Sequence, residues 1–376
     1  MLNWRDIVTE RVPKADRPPD RILLLVTLIL VTVGTVMIYS SSSILAMERF
    51  KDAQFFLKKQ ILFVLLGLGL MVLLTKIPYQ RMKLLAYPGV VASLILLAAV
   101  LIPPLGIRAG GATRWLNLGF VSFQVTEMVK VAMVLFLAHF LTKKAKHVTQ
   151  FRKGVLIPLL VAAPILGLII LEPDFGTAAI IVIIVMLMLY LAGSRIIHLA
   201  GLAAAFIPVG LWLILHNSYR LRRLTSFLDP WADPQHSGFQ IIQSLLSFGS
   251  GGTFGVGIGD GMQKLFYLPE PHTDFILSVI AEEGGFIGVL IIIMLFTILV
   301  VRGFMIAFKA RNPFGTLLAA GLTMIIALEA FINIAGVMGL IPLKGLALPF
   351  LSYGGTALIM SLIAVGILLN ISAQEA

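Results

Sequence analysis

The sequence predicts an all-α, polytopic integral membrane protein with about ten transmembrane helices and one large polar loop after span seven. Three observations predict it. The 376 residues are 59% hydrophobic and 12% charged, with a mean hydropathy of +1.00, whereas soluble domains carry about 25% charged residues. Apolar runs of about 20 residues recur along the chain, the length a helix needs to cross hydrocarbon. The pattern then stops between Asn217 and Phe275, in a stretch rich in Gly, Asp, Arg and aromatics.

The elements follow in order. Residues 1–21 form a basic, Pro-punctuated tail, expected to be flexible and cytoplasmic. Ile22–Tyr39 is long enough to span and stay, and the preceding segment is too charged for a cleavable signal. Spans are expected near 22–40, 58–75, 84–102, 123–142, 154–171, 177–193, 196–216, 275–301, 314–335 and 353–371. Residues 22–376 are read as one membrane domain, with 217–274 as its large extracytoplasmic loop. Ser40–Ser43 and Glu48–Lys59 are read as the first outer loop. In the second, residues 103–122, Pro and Gly pairs argue against a continuous helix.

The net charge of +11 would suggest nucleic acid in a soluble protein. In a membrane protein, Lys and Arg are counted by side. With the N-terminus inside, seventeen fall on inner segments, eleven on outer ones, and Lys130 within a span. That bias places both termini inside and the 217–274 loop outside, and no nucleic-acid partner is expected. The absence of Cys excludes a disulfide framework, a thiol nucleophile and a Cys-ligated metal. The six His show no HExxH spacing, so no dedicated metal site is expected.

Several polar residues carry candidate chemistry. Asp274 stands where the loop meets an apolar run. Partial desolvation there raises a carboxyl toward a useful general base, but Asp in this position is equally a helix N-cap. Glu127 and Lys130 share a helix face at i, i+3, inside a span where ionisable groups are paired or functional. Arg108, Arg114, Arg220, Arg222, Arg223 and Lys264 are outer-side cations, suited either to a pyrophosphate or to lipid headgroups. The Gly run 249–261 lacks GK[ST] and a preceding strand, so it is not a nucleotide loop. Close backbone packing or flexibility is the favoured reading for it, ahead of a phosphate cradle. Glu282 and Glu283 point about 100° apart on a helix, whereas Glu329 and Asn333 share a face as interhelical hydrogen-bonding groups or site residues.

At these motifs the chain resembles the SEDS family of bacterial cell-wall proteins, typified by FtsW, RodA and SpoVE. The matching segments run in order: Gly110-Gly-Ala-Thr-Arg-Trp-Leu-Asn-Leu-Gly119, residues 124–130, Glu172-Pro-Asp-Phe-Gly-Thr177, residues 223–231 and 238–244, the Gly-rich run, Gln263-Lys264, Leu268-Pro-Glu-Pro-His-Thr-Asp-Phe275 with Glu282-Glu283, and Leu348-Pro-Phe-Leu-Ser-Tyr-Gly-Gly355. Pro342-Leu-Lys-Gly-Leu and Asp229-Pro-Trp look more like the FtsW and SpoVE branches than RodA. Val125 and Gly261-Met262 depart from the family pattern in local packing rather than charge.

The resemblance implies a peptidoglycan glycosyltransferase that polymerises lipid II on the outer face of the bacterial cytoplasmic membrane during cell division. It implies Asp274 as the catalytic residue and sets Arg114, Glu127 and Lys130 in motifs in and around a central cavity; Arg223, Lys264, His272 and Glu283 are expected to complete the substrate-binding set. Lipid II, a class B penicillin-binding protein (a transpeptidase) and other divisome membrane proteins are the implied partners. No cofactor is required by the sequence, and a divalent cation (Mg or Mn) is left open as a supplement. A lipid II flippase or transporter, a RodA-type elongation polymerase and a division scaffold are the rival expectations.

Overall fold

The computed structural model describes residues 18–375 except 104, 110, 111, 118, 120, 121, 265–267 and 269. The expected tail therefore lies outside the described residues up to position 17, as do Gly110, Gly111, Leu118 and Pro269 of the motifs and the side chain of Arg108.

Apolar composition and the need to satisfy every backbone group in lipid make helices of the long runs. These are α1 (Arg21–Phe50), α2 (Phe55–Lys76), α3 (Ala86–Val100, led in by a 3-10 turn, Tyr79–Leu85), α4 (Val125–Lys143), α5 (Leu156–Leu171), α6 (Phe175–Leu191), α7 (Ile196–Leu215), α8 (Ser218–Leu228), α9 (Phe239–Gly251), α10 (Ile276–Lys309), α11 (Pro313–Val337) and α12 (Gly355–Glu375). Among the described residues nine helices are long and apolar enough to cross a membrane, and the 17-residue α6 is a shorter apolar tenth. The protein is thus a polytopic, helical membrane protein. Helices α4, α11 and α12 are the most buried, and α7 is the most peripheral.

The expected spans recur, with one correction, and the polar segments between them carry structure of their own. Helix α1 continues to Phe50, through Ser40–Ser43, which was read as loop. Those serines are helix surface rather than loop: Ser41 and Ser42 donate back to the carbonyl of Ile38, and Ser40 donates to Glu283. The 217–274 segment between spans contains two short helices, α8 and α9. The second connection holds a three-stranded antiparallel meander, β1 (Gly106–Ala109), β2 (Ala112–Asn117) and β3 (Ser122–Gln124), in order β1-β2-β3. Trp115 pairs with Ile107 on one side and Gln124 on the other.

Helix α10 is broken at Gly285 (φ 65, ψ −165). A break in lipid leaves carbonyls and N–H groups that need partners. The Gly-rich run after α9 supplies them. Val256 and Gly257 donate to the carbonyls of Glu282 and Glu283, while Phe286 and Ile287 donate to those of Gly252 and Thr253, all at 2.9–3.2 Å. A Cβ on Gly251 would lie 1.9 Å from the Ala281 carbonyl oxygen, and one on Gly255 2.1 Å from that of Glu283. At Gly251 and Gly255 glycine is what allows the two backbones to pack this closely.

The first and last described segments meet at one end of the bundle. The Asp20 N–H donates to Ser372 Oγ (3.0 Å), and the Asp20 carboxylate caps Leu23 and pairs with Arg302. The sheet, α8, α9 and the start of α10 gather at the other end.

Candidate functional site

A cavity of about 610 Å³ opens among the sheet, α6, α8 and the segment joining α11 to α12. Ala112, Asp174, Phe175 and Leu343 are among its lining residues, and four cations converge on it: Arg114, Arg220, Arg223 and Lys344.

Each cation is aimed by a different element. Arg114 is on β2, where its Nη2 donates to the Pro173 carbonyl (3.1 Å) and its Nε lies 3.8 Å from Asp174 Oδ2. Asp174 is fixed as the N-cap of α6, accepting from Thr177 N (3.2 Å) and Thr177 Oγ1 (2.8 Å). Arg223 comes from α8 and donates to the Leu343 carbonyl at 3.3 Å. The Arg220 guanidinium and the Lys344 ammonium each lie 5.2 Å from the Phe175 ring centroid, within cation–π range. Gly176 gives Lys344 room, because a Cβ there would lie 3.2 Å from its Nζ. Burial pulls the Lys344 ammonium down from 10.5 to about 8; Asp174 opposes this, and Arg114, Arg223 and Arg220 add to it.

Asp274 stands behind this wall rather than among the lining residues. Its carboxylate presses on Gly345, which does line the cavity: a Cβ on Gly345 would lie 2.6 Å from Asp274 Oδ2. It is not the helix cap weighed from sequence, since the N-cap position of α10 is Phe275 and no side chain caps there. Burial pushes the Asp274 carboxyl up from 3.8 to about 6; Arg223 pulls it down, Glu270 pushes it up and Arg114 pulls it down.

Of the sequence candidates, the structure gathers Asp274, Arg114 and Arg223. The others lie elsewhere. Lys130 Nζ pairs with Glu127 (2.8 Å) and with Glu329, closed inside the bundle between α4 and α11. Lys264 Nζ bonds Glu283 (2.7 Å), Ser40 Oγ (3.2 Å) and the Gly259 carbonyl (2.6 Å), which fastens the Gly-rich run to α10. Neither lysine lines the cavity. His272 is buried, with its ring centroid 4.5 Å from that of Phe56 and 5.6 Å from that of Tyr353. Burial, with Arg49 nearby, drops its pKa from 6.5 to about 4, so it packs as a neutral ring at pH 7.

The sequence does not single out Asp174 or Lys344, although both lie inside quoted motifs, and it leaves Arg220 open between a pyrophosphate and lipid headgroups, outside the substrate-binding set. The Phe175-Gly176 pair beside the Asp174 cap was a signal for α6, but no spacing links positions 114, 174, 220 and 344. Glu172 was also passed over. It is fully buried with neither carboxylate oxygen partnered among the described residues, and burial, then Asp174, push it up to about 8 against the pull of Arg114.

The donor set does not fit a protein-held divalent cation. Four cations and one carboxylate, Asp174, line the cavity, and among the described residues no three His, Asp or Glu groups converge. Such a surface suits an anion.

Residues 20–376 match the family model for the FtsW, RodA and SpoVE cell cycle proteins. The chain is 47% identical over 354 residues to the protein named "Probable peptidoglycan glycosyltransferase FtsW" of Trichlorobacter lovleyi, covering 94% of this chain and 93% of the relative. It is 43% identical to "Stage V sporulation protein E" of Bacillus subtilis, covering 94% and 97%. Its fold matches a chain from a peptidoglycan synthase complex solved for the coordination of polymerization and crosslinking, with TM-score 0.77, 31% identity and 94% and 97% coverage. It also matches the rod shape determining protein RodA of Thermus thermophilus, with TM-score 0.69, 27% identity and 95% and 97% coverage. With a cation-lined cavity in a helical membrane bundle and matches spanning nearly its whole length, the chain belongs to the FtsW/RodA/SpoVE family of cell cycle proteins.

Proposed function

We propose that this protein is the peptidoglycan glycosyltransferase of cell division, that lipid II is its substrate, and that Asp274 is its general base. The observation that carries this reading is the half-buried Asp274 carboxylate, set against Gly345 in the wall of a cavity lined by four cations.

The 4-hydroxyl of one lipid-linked disaccharide attacks the anomeric carbon of another. A sugar hydroxyl is a poor nucleophile at neutral pH, and a carboxylate with a pKa of about 6 is ionised there yet basic enough to assist. Asp274 takes the hydroxyl proton as the new C1–O bond forms. The bond from C1 to the diphosphate oxygen breaks, and its electron pair leaves with undecaprenyl pyrophosphate. That group departs as a stable anion, so it needs charge neutralisation rather than a proton. Arg114, Arg220, Arg223 and Lys344 are placed to give it. One carboxylate with a cation cluster therefore replaces the carboxylate pair of a glycoside hydrolase, and in-line attack inverts an α-linked donor to a β-linked glycan.

The basic bias of the sequence favours the Asp20–Ser372 end in the cytoplasm and the cavity end outside. The lipid tails keep both substrates in the bilayer, which is why the catalyst is a membrane bundle. A class B penicillin-binding protein is the transpeptidase that crosslinks the product, within a set of division membrane proteins.

The test is lipid II polymerisation by the purified protein, with and without that transpeptidase. Wild type makes long glycan and Asp274→Asn makes none. Normal polymer from Asp274→Asn would remove the base. Lipid II crossing liposomes with no polymer under any condition would make the protein a flippase instead.

A further inference from the structure

The segment carrying Asp274 is held by three successive backbone carbonyls. The His272 carbonyl accepts from Tyr353 N (2.8 Å), the Thr273 carbonyl from Ser352 Oγ (2.5 Å) and the Asp274 carbonyl from Asn333 Nδ2 (2.9 Å). The first two anchors come from the loop before α12. The third comes from a membrane helix, α11, and it is forked: Asn333 Nδ2 also donates to the Leu346 carbonyl at 2.6 Å. Leu346 follows Gly345, on whose Cα the Asp274 carboxylate rests, and Lys344 stands one residue further back. The Asn333 amide thus ties the Asp274 backbone to the segment that carries both the carboxylate's seat and a cavity cation.

Packing alone does not account for this residue. Both acceptors are carbonyls, so the amide must turn its NH2 to them. Asn333 Oδ1 is then buried with no partner among the described residues. An unpartnered buried carbonyl carries the desolvation penalty of a lost hydrogen bond, and an apolar side chain would avoid it. What an apolar side chain cannot do is hold two carbonyls of different segments at hydrogen-bond distance.

We infer that Asn333 is a positioning residue for Asp274: its amide clamps the Asp274 and Leu346 carbonyls together, and so fixes the carboxylate against Gly345 and toward the cavity cations. The inference rests on the reading of Asp274 as base. Reacting groups displaced by about 1 Å can lose roughly a hundredfold in rate, while the lipid-linked substrate still meets the same cations.

The experiment uses the full chain in liposomes with lipid II as the probe, comparing wild type, Asp274→Asn, Asn333→Ala and Gly345→Ala. Rates are normalised to folded protein by thermal unfolding. Gly345→Ala covers the case where Asn333→Ala folds poorly, because the added methyl meets only the movable end of Asp274. The expected result for both is kcat lower by about 10- to 100-fold, KM within about twofold, and an acid limb of the pH profile displaced from its wild-type position. Wild-type kcat and an unmoved limb in both variants, with only a lower unfolding temperature for Asn333→Ala, would overturn the clamp and leave the base standing. Full activity of Asp274→Asn would overturn the base and the clamp with it.

Discussion

Raising or lowering pH should change kcat/KM for lipid II along a bell whose two limbs are set by named groups. The acid limb belongs to Asp274, held near 6 mainly by burial. The base works only when ionised, so the rate rises as pH rises through this value. A carboxyl with a pKa of about 6 is ionised to about 9% at pH 5, whereas one at the ordinary 3.8 would be about 94% ionised. The burial of Asp274 therefore predicts a roughly tenfold loss between pH 7 and pH 5, where an exposed Asp would lose almost nothing. The alkaline limb belongs to Lys344, held near 8 by burial and its guanidinium neighbours. The diphosphate needs the protonated ammonium, so the rate falls as pH rises through 8, to about a tenth at pH 9. Initial rates of fluorescent lipid II polymerisation at subsaturating substrate measure this, because kcat/KM reports the groups of the free enzyme. Lys344→Met should lower kcat/KM and abolish the alkaline limb while leaving the acid limb in place. A flat profile from pH 5 to 7 would refute the burial argument for Asp274, and an alkaline limb surviving in Lys344→Met would refute the assignment of Lys344.

Two further predictions concern the frame beneath the site. Gly255→Ala meets a backbone at φ 82 and a carbonyl oxygen 2.1 Å from the new Cβ, so it should lose more than about 2 kcal/mol. Gly249→Ala, inside α9 with open space around it, should gain up to about 1 kcal/mol; unfolding temperatures in detergent separate the two, and equal values would count against the Gly-run packing. The Lys264–Glu283 pair is buried on both sides. Lys264→Met should therefore cost about 3–5 kcal/mol by leaving a buried carboxylate, and adding Glu283→Leu should recover part of it. A double variant less stable than Lys264→Met would show that the pair does not act as a unit.

The chain by itself determined the class of structure. Apolar runs long enough to span lipid leave helices as the economical way to satisfy the backbone, so α2, α4, α7, α11 and α12 appear close to where hydropathy placed them. Polarity misled where tertiary partners absorbed it. Ser40–Ser43 looks like loop because four hydroxyls look wet, yet Ser41 and Ser42 donate to a helix carbonyl and Ser40 donates to Glu283. In the Gly run, composition leaves close packing and flexibility open; the break at Gly285 shows that Gly251 and Gly255 pack against the backbone of α10. For the site, residue type and position made Asp274 a candidate and an N-cap at once. Tertiary structure separated them by putting Phe275 at the cap and the carboxylate on Gly345. It also decided which cations count. Charge and motif favoured Lys130 and Lys264 as much as Arg114, but buried carboxylates neutralise both lysines within the fold. Arg220 and Lys344 replace them at the cavity because α6, α8 and the α11–α12 segment converge there. One-dimensional pattern records which side chains dislike water; which charges are left unneutralised depends on distances between residues far apart in sequence, and only the packed bundle sets those.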